Sequence, residues 1–449
     1  MQRITPRTTL VLIAIAVAVV SLAVAPYCAF RPDMRDYWIP WQVATKGLKP
    51  WNAYALPKCN YPPLILYVLS LVEGVRYLLD VSWKAPTNRL LMKLPNIAAH
   101  LIGAACLYGA FVRTHGTRKA ALLAGGWLLS LNLFVNAALW AQWDVILALL
   151  LLLALLALRR EGYFMTGVWT ALAMAAKVQA IFILPVLGIY LLARRDVKAI
   201  GRTTAGAMLA ILLVFGPMAI AGRLRESTSI YVASVDTFPY RSLDAWNHWF
   251  VFDFVEERFL GASRRVVIND GRPVIPALST ALTYKRVGLL LFGSYVLAML
   301  IMVARRRRLE DVLVGVPLMG VAMFMLATQM HERYVGPPAA LMTLWLLLPT
   351  PYRAHFIYWS IAAGLNQLSV LARFPTFGPK PIISNWHFYT GAVVSLVNLG
   401  MFIHLTWLFF SPRFASTELA RGHRESDRRG FGLAPHEAEP APASPVTAG

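Results

Sequence analysis

The sequence predicts an all-α fold, a polytopic bundle of about twelve transmembrane helices, because apolar runs near the 20-residue length of a bilayer span recur along most of it. Composition agrees: 58% of the 449 residues are hydrophobic and only 14% are charged, far from what a water-soluble surface allows. The third observation is where charge falls. The formal net charge of +21 sits between the apolar runs rather than on one soluble face, which argues against nucleic acid as a partner and makes the basic residues topological markers.

Taken in order, the basic flanks orient each run, since Arg and Lys mark the cytoplasm. Arg3 and Arg7 precede the first run, roughly 8–30, which is too long and lacks the small-residue cleavage site of a signal peptide, so it stays as the first helix. It delivers the chain to an outer loop, about 31–89. A helix near 90–112 returns inside before Arg113, Arg118 and Lys119. Helices near 120–140 and 144–158 form a hairpin with Trp140-Ala141-Gln142-Trp143-Asp144 at its outer tip, closed inside by Arg159 and Arg160. A pair of short helices then breaks at Lys177-Val178-Gln179, and a helix near 203–221 leads into the largest outer loop, about 222–280. After the inner Arg305–Arg308 run, helices near 311–330 and 336–350 meet outside at His331-Glu332-Arg333-Tyr334, and helices near 354–373 and 388–410 complete the bundle. Residues 61–80 are long enough to span, but a span there would invert every later basic loop, so Tyr61-Pro62-Pro63-Leu64 opens an interfacial or re-entrant helix. The membrane domain is therefore 1–410, and 411–449, rich in Ala, Pro, Glu and Arg, is a disordered cytoplasmic tail. Both termini fall in the cytoplasm.

On this topology the costly residues gather on the outer face. Asp33 and Asp36 follow the first helix, Gln142 and Asp144 cap a hairpin, Lys177 and Gln179 break a helix, and His331 with Arg333 caps another. A charge at mid-membrane costs roughly 2.5–3.5 kcal/mol on insertion scales, so Lys177 must face protein or a water-filled cavity. Taken singly, each is explained as an end-of-helix residue at the interface; together they point to one polar site.

The stretches Asp33-Met34-Arg35-Asp36-Tyr37 with Pro40-Trp41, Tyr61-Pro62-Pro63-Leu64, Trp140 to Asp144, Lys177-Val178-Gln179-Ala180 with Pro185, Ala245-Trp246-Asn247-His248-Trp249 and Met330 to Tyr334 resemble, in order and membrane face, the GT-C superfamily of polytopic glycosyltransferases. The likeness covers most of residues 10–350 and is nearest to bacterial members similar to mannosyltransferases and glucosyltransferases. It departs at Arg31-Pro32, where relatives carry small residues before the first Asp. The resemblance implies a plasma-membrane enzyme that takes a hexose, mannose or similar, or a pentose from a polyprenyl-phosphate sugar. The acceptor it implies is a glycan, glycolipid or protein on the outer face, with membrane lipid as the surrounding partner.

The chemistry fits the residue types. A sugar on phosphate already has a leaving group, so the reaction needs a base for the acceptor hydroxyl and cations for the departing phosphate, and attack opposite that phosphate inverts the anomeric centre. Asp33 is the expected base with Asp36 as its rival; Lys177, His331 and Arg333 are expected on the phosphate; Gln142, Asp144, Tyr61, Gln179 and Asn247 position substrate. Tyr61 and the outer-loop tryptophans either stack on sugar or form an interfacial belt. There is no zinc-spaced His/Cys cluster or Gly-rich phosphate loop, and where some superfamily members hold a divalent metal with several carboxylates the sparse acids here favour a metal-independent reaction, so no cofactor or metal is expected. Cys28 and Cys59 fall on one side, within the reach of a disulfide. A transporter or flippase, of lipid or polysaccharide, and a non-enzymatic export subunit are the competing classes; a transporter would show internal repeats and midplane charges.

Overall fold

The computed structural model of the protein describes residues 5–234, 237–259, 269–274, 281–373 and 386–411. The expected tail beyond Ser411 and part of the 222–280 loop lie outside them.

Helix α1 (Pro6–Val24) starts where the Thr5 hydroxyl accepts the Thr8 N–H at 3.2 Å and Pro6 occupies the first turn. The first loop is largely helical: α2 (Arg31–Asp33) runs into a π-helical turn (Met34–Trp38), followed by α3 (Ile39–Ala44), a 3-10 segment (Pro50–Ala55) and α4 (Pro63–Leu78). The 16 residues of α4 rise about 24 Å, short of a hydrocarbon core of ~30 Å. A buried Glu73–Arg76 ion pair at 2.8 Å sits on it. Helix α5 (Pro86–Leu128) is broken at Gly116, whose φ of 77° only glycine adopts freely, so the expected 113–119 loop contracts to one residue.

The expected helix at 120–140 is instead two pieces. Beyond α5 come α6 (Leu131–Phe134) and a second π-helical turn (Val135–Trp140) ending at Ala141 with φ 73°. Side-chain polarity makes the break: the Ser130 hydroxyl pairs with that of Ser360 at 2.8 Å, and the Asn132 amide donates to the Gly336 carbonyl at 2.7 Å. Next come α7 (Asp144–Arg159), α8 (Tyr163–Ala176), a 3-10 turn (Val178–Phe182), α9 (Ile183–Arg194) and α10 (Val197–Ile220). The described part of the large loop holds α11 (Leu224–Ala233), strand β1 (Ser242–Leu243) and α12 (His248–Phe259). The rest is α13 (Tyr284–Arg306), α14 (Leu309–Leu326), strand β2 (Met330–His331), α15 (Gly336–Leu341) with a 3-10 extension (Met342–Leu347), α16 (Thr350–Arg373) and α17 (Trp386–Phe410).

Six of these helices (α1, α5, α10, α13, α14 and α17) are long and apolar enough to cross a bilayer, with shorter apolar helices between them. The chain is an integral membrane protein. Helix α14 is its axis, with 94% of its apolar window buried, whereas α1 at 6% and α13 at 17% present Leu, Ile and Val outward as lipid-facing helices do. Helices α8 and α10 touch backbone to backbone: a Cβ on Gly167 would lie 1.9 Å from the Thr203 oxygen, and one on Gly206 1.9 Å from the Phe164 oxygen. Strands β1 and β2 pair in parallel, Leu243 opposite His331, and so dock the large loop onto the turn after α14. Cys28 and Cys59 are both free thiols, so the disulfide their placement permits does not form.

Candidate active site

The site is assembled by breaks in helices. The α2–π junction presents Asp33, the second π turn ends at Trp140 with Gln142 just beyond it, α7 begins at Asp144, the α8–α9 break exposes Lys177, and β2 leads into Glu332 and Arg333. A π turn inserts a residue into the helical ladder and re-aims the side chains beyond it, and two such turns flank this site.

Asp33, 9% exposed, is held through one oxygen only. Its Oδ2 accepts the Trp140 indole N–H at 3.0 Å and the Gln142 amide N–H, and Tyr61 in turn donates to Gln142 Oε1 at 3.0 Å. Among the described residues no hydrogen bond reaches Asp33 Oδ1. Asp36 is elsewhere. It lies on the surface in an ion pair with Arg35 at 2.6 Å, and that hydrogen-bonded guanidinium holds its carboxyl below the usual range.

Behind Asp33 lies a buried ionic cluster. Lys177, in extended conformation where α8 stops, donates to Asp144 Oδ1; Asn136 donates to Oδ2 at 3.0 Å, and Arg333 Nε stands 4.0 Å from the same oxygen. The Arg333 Nη1 donates to Glu332 at 2.6 Å, and His331 Nδ1 lies 3.7 Å from the other Glu332 oxygen. Burial and the neighbouring Arg333 keep His331 below its ordinary pKa. Glu332, although burial pushes it upward, is held below the carboxylate range by Arg333 and His331. Arg333 Nε and His331 Nε2 are buried with no hydrogen-bond partner among the described residues. Gln179 adjoins Tyr334, whose ring and that of Tyr61 stand 5.7 and 5.6 Å from the Lys177 ammonium.

Eight of the ten expected residues, Asp33, Tyr61, Gln142, Asp144, Lys177, Gln179, His331 and Arg333, therefore come together, whereas Asp36 lies apart on the surface with Arg35. Asn247 serves the fold: its amide donates to the Phe324 carbonyl at 2.9 Å, and its oxygen accepts the Phe250 N–H at the start of α12. Trp38, Trp41, Trp143 and Tyr61 pack edge to face at 5.0–5.7 Å and are buried. Sequence reasoning passed over Glu332, Asn136 and Lys93. Asn136 and Lys93 each stand alone in an apolar run, which was the signal available. Among the described residues no three His, Cys, Asp or Glu side chains converge on a metal position.

A membrane-embedded helical protein with a half-bound carboxylate beside buried cations has the parts of a group-transfer enzyme acting on an anionic substrate. Residues 60–328 match glycosyltransferase family 87, and the chain belongs to that family. The match contains Tyr61, Gln142, Asp144, Lys177 and Gln179, beginning after Asp33 and ending before His331. No curated protein matches the sequence. Among solved structures, the crystal structure of ArnT from Cupriavidus metallidurans bound to undecaprenyl phosphate is similar at a TM-score of 0.47 and 15% identity, over 96% of this chain and 82% of that one.

Proposed function

We propose that this glycosyltransferase moves a hexose, mannose or similar, or a pentose from a polyprenyl-phosphate sugar to a hydroxyl of a glycan, glycolipid or protein on the outer face of the membrane, with inversion and without a metal. The observation that carries the reading is the asymmetry of Asp33. Oδ2 is fixed by Trp140 and Gln142 while Oδ1 has no partner among the described residues, which is how a base is held when it must accept a proton at one known atom. The acceptor oxygen attacks the anomeric carbon, its proton passes to Oδ1, and the bond from that carbon to the phosphate oxygen breaks. The leaving phosphate gains negative charge as it departs. Arg333 Nε is a buried donor with no hydrogen-bond partner among the described residues, and it suits that charge. Lys177 acts at one remove, neutralising Asp144.

Membership of the glycosyltransferase family favours this over the transporter and export-subunit readings. The test is turnover of radiolabelled polyprenyl-phosphate mannose, glucose and pentose by Asp33→Asn and Asp36→Asn. Asp33→Asn keeps the shape, removes basicity, and is expected to lower kcat by about 10²–10⁴ with donor binding nearly intact. Asp36→Asn should stay near normal. A dead Asp36 variant with an active Asp33 variant would move the base to Asp36, and normal turnover in both would remove the acid–base assignment.

A further inference from the structure

Lys93, on α5, is fully buried, yet it pairs with no carboxylate among the described residues. Its ammonium lies within hydrogen-bond reach of four backbone carbonyls that its three N–H share: Ala25 at 3.0 Å, Cys28, Ala138 at 2.8 Å and Leu139 at 3.3 Å. The first two belong to the C-terminal end of α1 and the turn after it; the last two belong to the end of the second π turn. A helix end leaves such carbonyls without partners and carries the negative pole of the backbone dipoles, so one ammonium satisfies and neutralises two helix ends at once. One turn earlier on α5, Arg89 donates to the Pro26 carbonyl at 2.6 Å, and the Phe30 N–H bonds the Trp140 carbonyl at 3.1 Å, so the two ends are locked to each other as well.

The segments these ends lead into give the arrangement its consequence. Five residues past Cys28 is Asp33; immediately past Leu139 come Trp140 and Gln142, the two donors that fix Asp33 Oδ2. We propose that Lys93 is a positioning residue for the transfer reaction, clamping the end of α1 to the end of the second π turn so that Asp33 and its two hydrogen-bond donors keep their mutual register. The inference rests on Asp33 being the base. Lys93 does not touch substrate; it acts through the distance between two backbone segments, and a misplacement of about 1 Å in a reacting group costs about 10²-fold in rate.

The experiment is a double-mutant cycle on the full chain in detergent, with radiolabelled polyprenyl-phosphate mannose, glucose and pentose as probes and long incubations for slow variants. Lys93→Met should lower kcat about 10²-fold with donor KM unchanged, and in the Asp33→Asn background it should lower kcat no further, because the base it positions is already gone. Lys93→Gln keeps two N–H donors and replaces the Met variant if that one does not fold; it should show a smaller fall, again absent in the Asp33→Asn background. Full activity of the folded Lys93 variants would overturn the clamp and leave the Asp33 assignment standing. Equal losses in both backgrounds would mean that Lys93 supports the fold alone, and would overturn it too. Full activity of Asp33→Asn by itself would instead remove the base, and the proposal with it.

Discussion

Lys177→Met tests whether the buried cation belongs to Asp144 or is free for substrate. Both side chains are buried, at 5% and 4% exposure, and they are in direct ion-pair contact. Removing one member of a buried pair costs about 3–5 kcal/mol, because the survivor is left charged in a poorly polarisable interior. Asp144 would retain the Asn136 amide at 3.0 Å and the Arg333 guanidinium at 4.0 Å, which places the loss at the lower end, about 3 kcal/mol, or about a hundredfold in the folding equilibrium. The Lys177→Met/Asp144→Leu double variant removes both charges and should recover most of that loss, giving a coupling of about 2–3 kcal/mol. Unfolding in mixed micelles, followed by tryptophan fluorescence against denaturing detergent, measures all four corners of the cycle. A Lys177→Met variant within about 0.5 kcal/mol of the parent would refute the reasoning, since an ammonium that can be deleted so cheaply is not holding Asp144.

The remaining predictions concern packing, pH and topology. Leucine at Gly167 or Gly206 must displace backbone of the facing helix, so both variants should melt well below the parent by fluorescence-detected size exclusion, whereas Gly216→Leu on the same α10, with nothing within 4 Å of its added Cβ, should not. His331 is held below its unfolded pKa by burial and Arg333, so the unfolded chain binds the extra proton first and stability falls as pH drops below about 6.5. The melting temperature should therefore decline between about pH 7 and 5.5, and His331→Asn should flatten that limb; an unchanged slope would show that His331 is not the group responsible. A reporter active only in the cytoplasm should work when fused after Arg118, Arg195 or Arg307 and stay silent at Ser234. Activity at Ser234 would invert the topology.

Convergence of Asp33, Gln142, Asp144, Lys177, His331 and Arg333 was legible because polar groups are costly among apolar runs and each stood at a break the pattern already marked. That Asp36 lies apart from this group was not. A spacing of three keeps two side chains on one face of an α-helix, but residues 34–38 form the wider i→i+5 turn, which carries Asp36 round to the surface and Arg35. The break at Ser130 escaped notice for a related reason: its partners, Ser360 and Gly336, lie more than two hundred residues away in sequence, and no local pattern announces them. Lys93 stood within an apolar run with nothing nearby to say what it pairs with, because the carbonyls that claim it exist only once α1 and the second π turn have ended beside it.

The charge balance of the site bears on how the proposed reaction gains its rate. Asp33, Asp144 and Glu332 are three carboxylates against two basic side chains, Lys177 and Arg333, and each of these already contacts a carboxylate. Among the described residues of the site, a donor phosphodiester with a single negative charge therefore meets no uncommitted cation, only the Nε–H left over on Arg333. As the sugar departs, the phosphate approaches a second charge, and that same donor then faces a stronger acceptor without moving. Interactions that strengthen between ground state and transition state raise kcat, whereas a free cation would hold donor and spent lipid phosphate alike and slow release. Arg333→Lys distinguishes the two cases. It preserves the charge but removes the planar fork that holds Glu332 with one nitrogen while offering Nε to the phosphate. On this reasoning its kcat falls by about 10²–10³ while donor affinity changes little; a variant that lost donor affinity and kept kcat would show that Arg333 acts as a simple counter-ion.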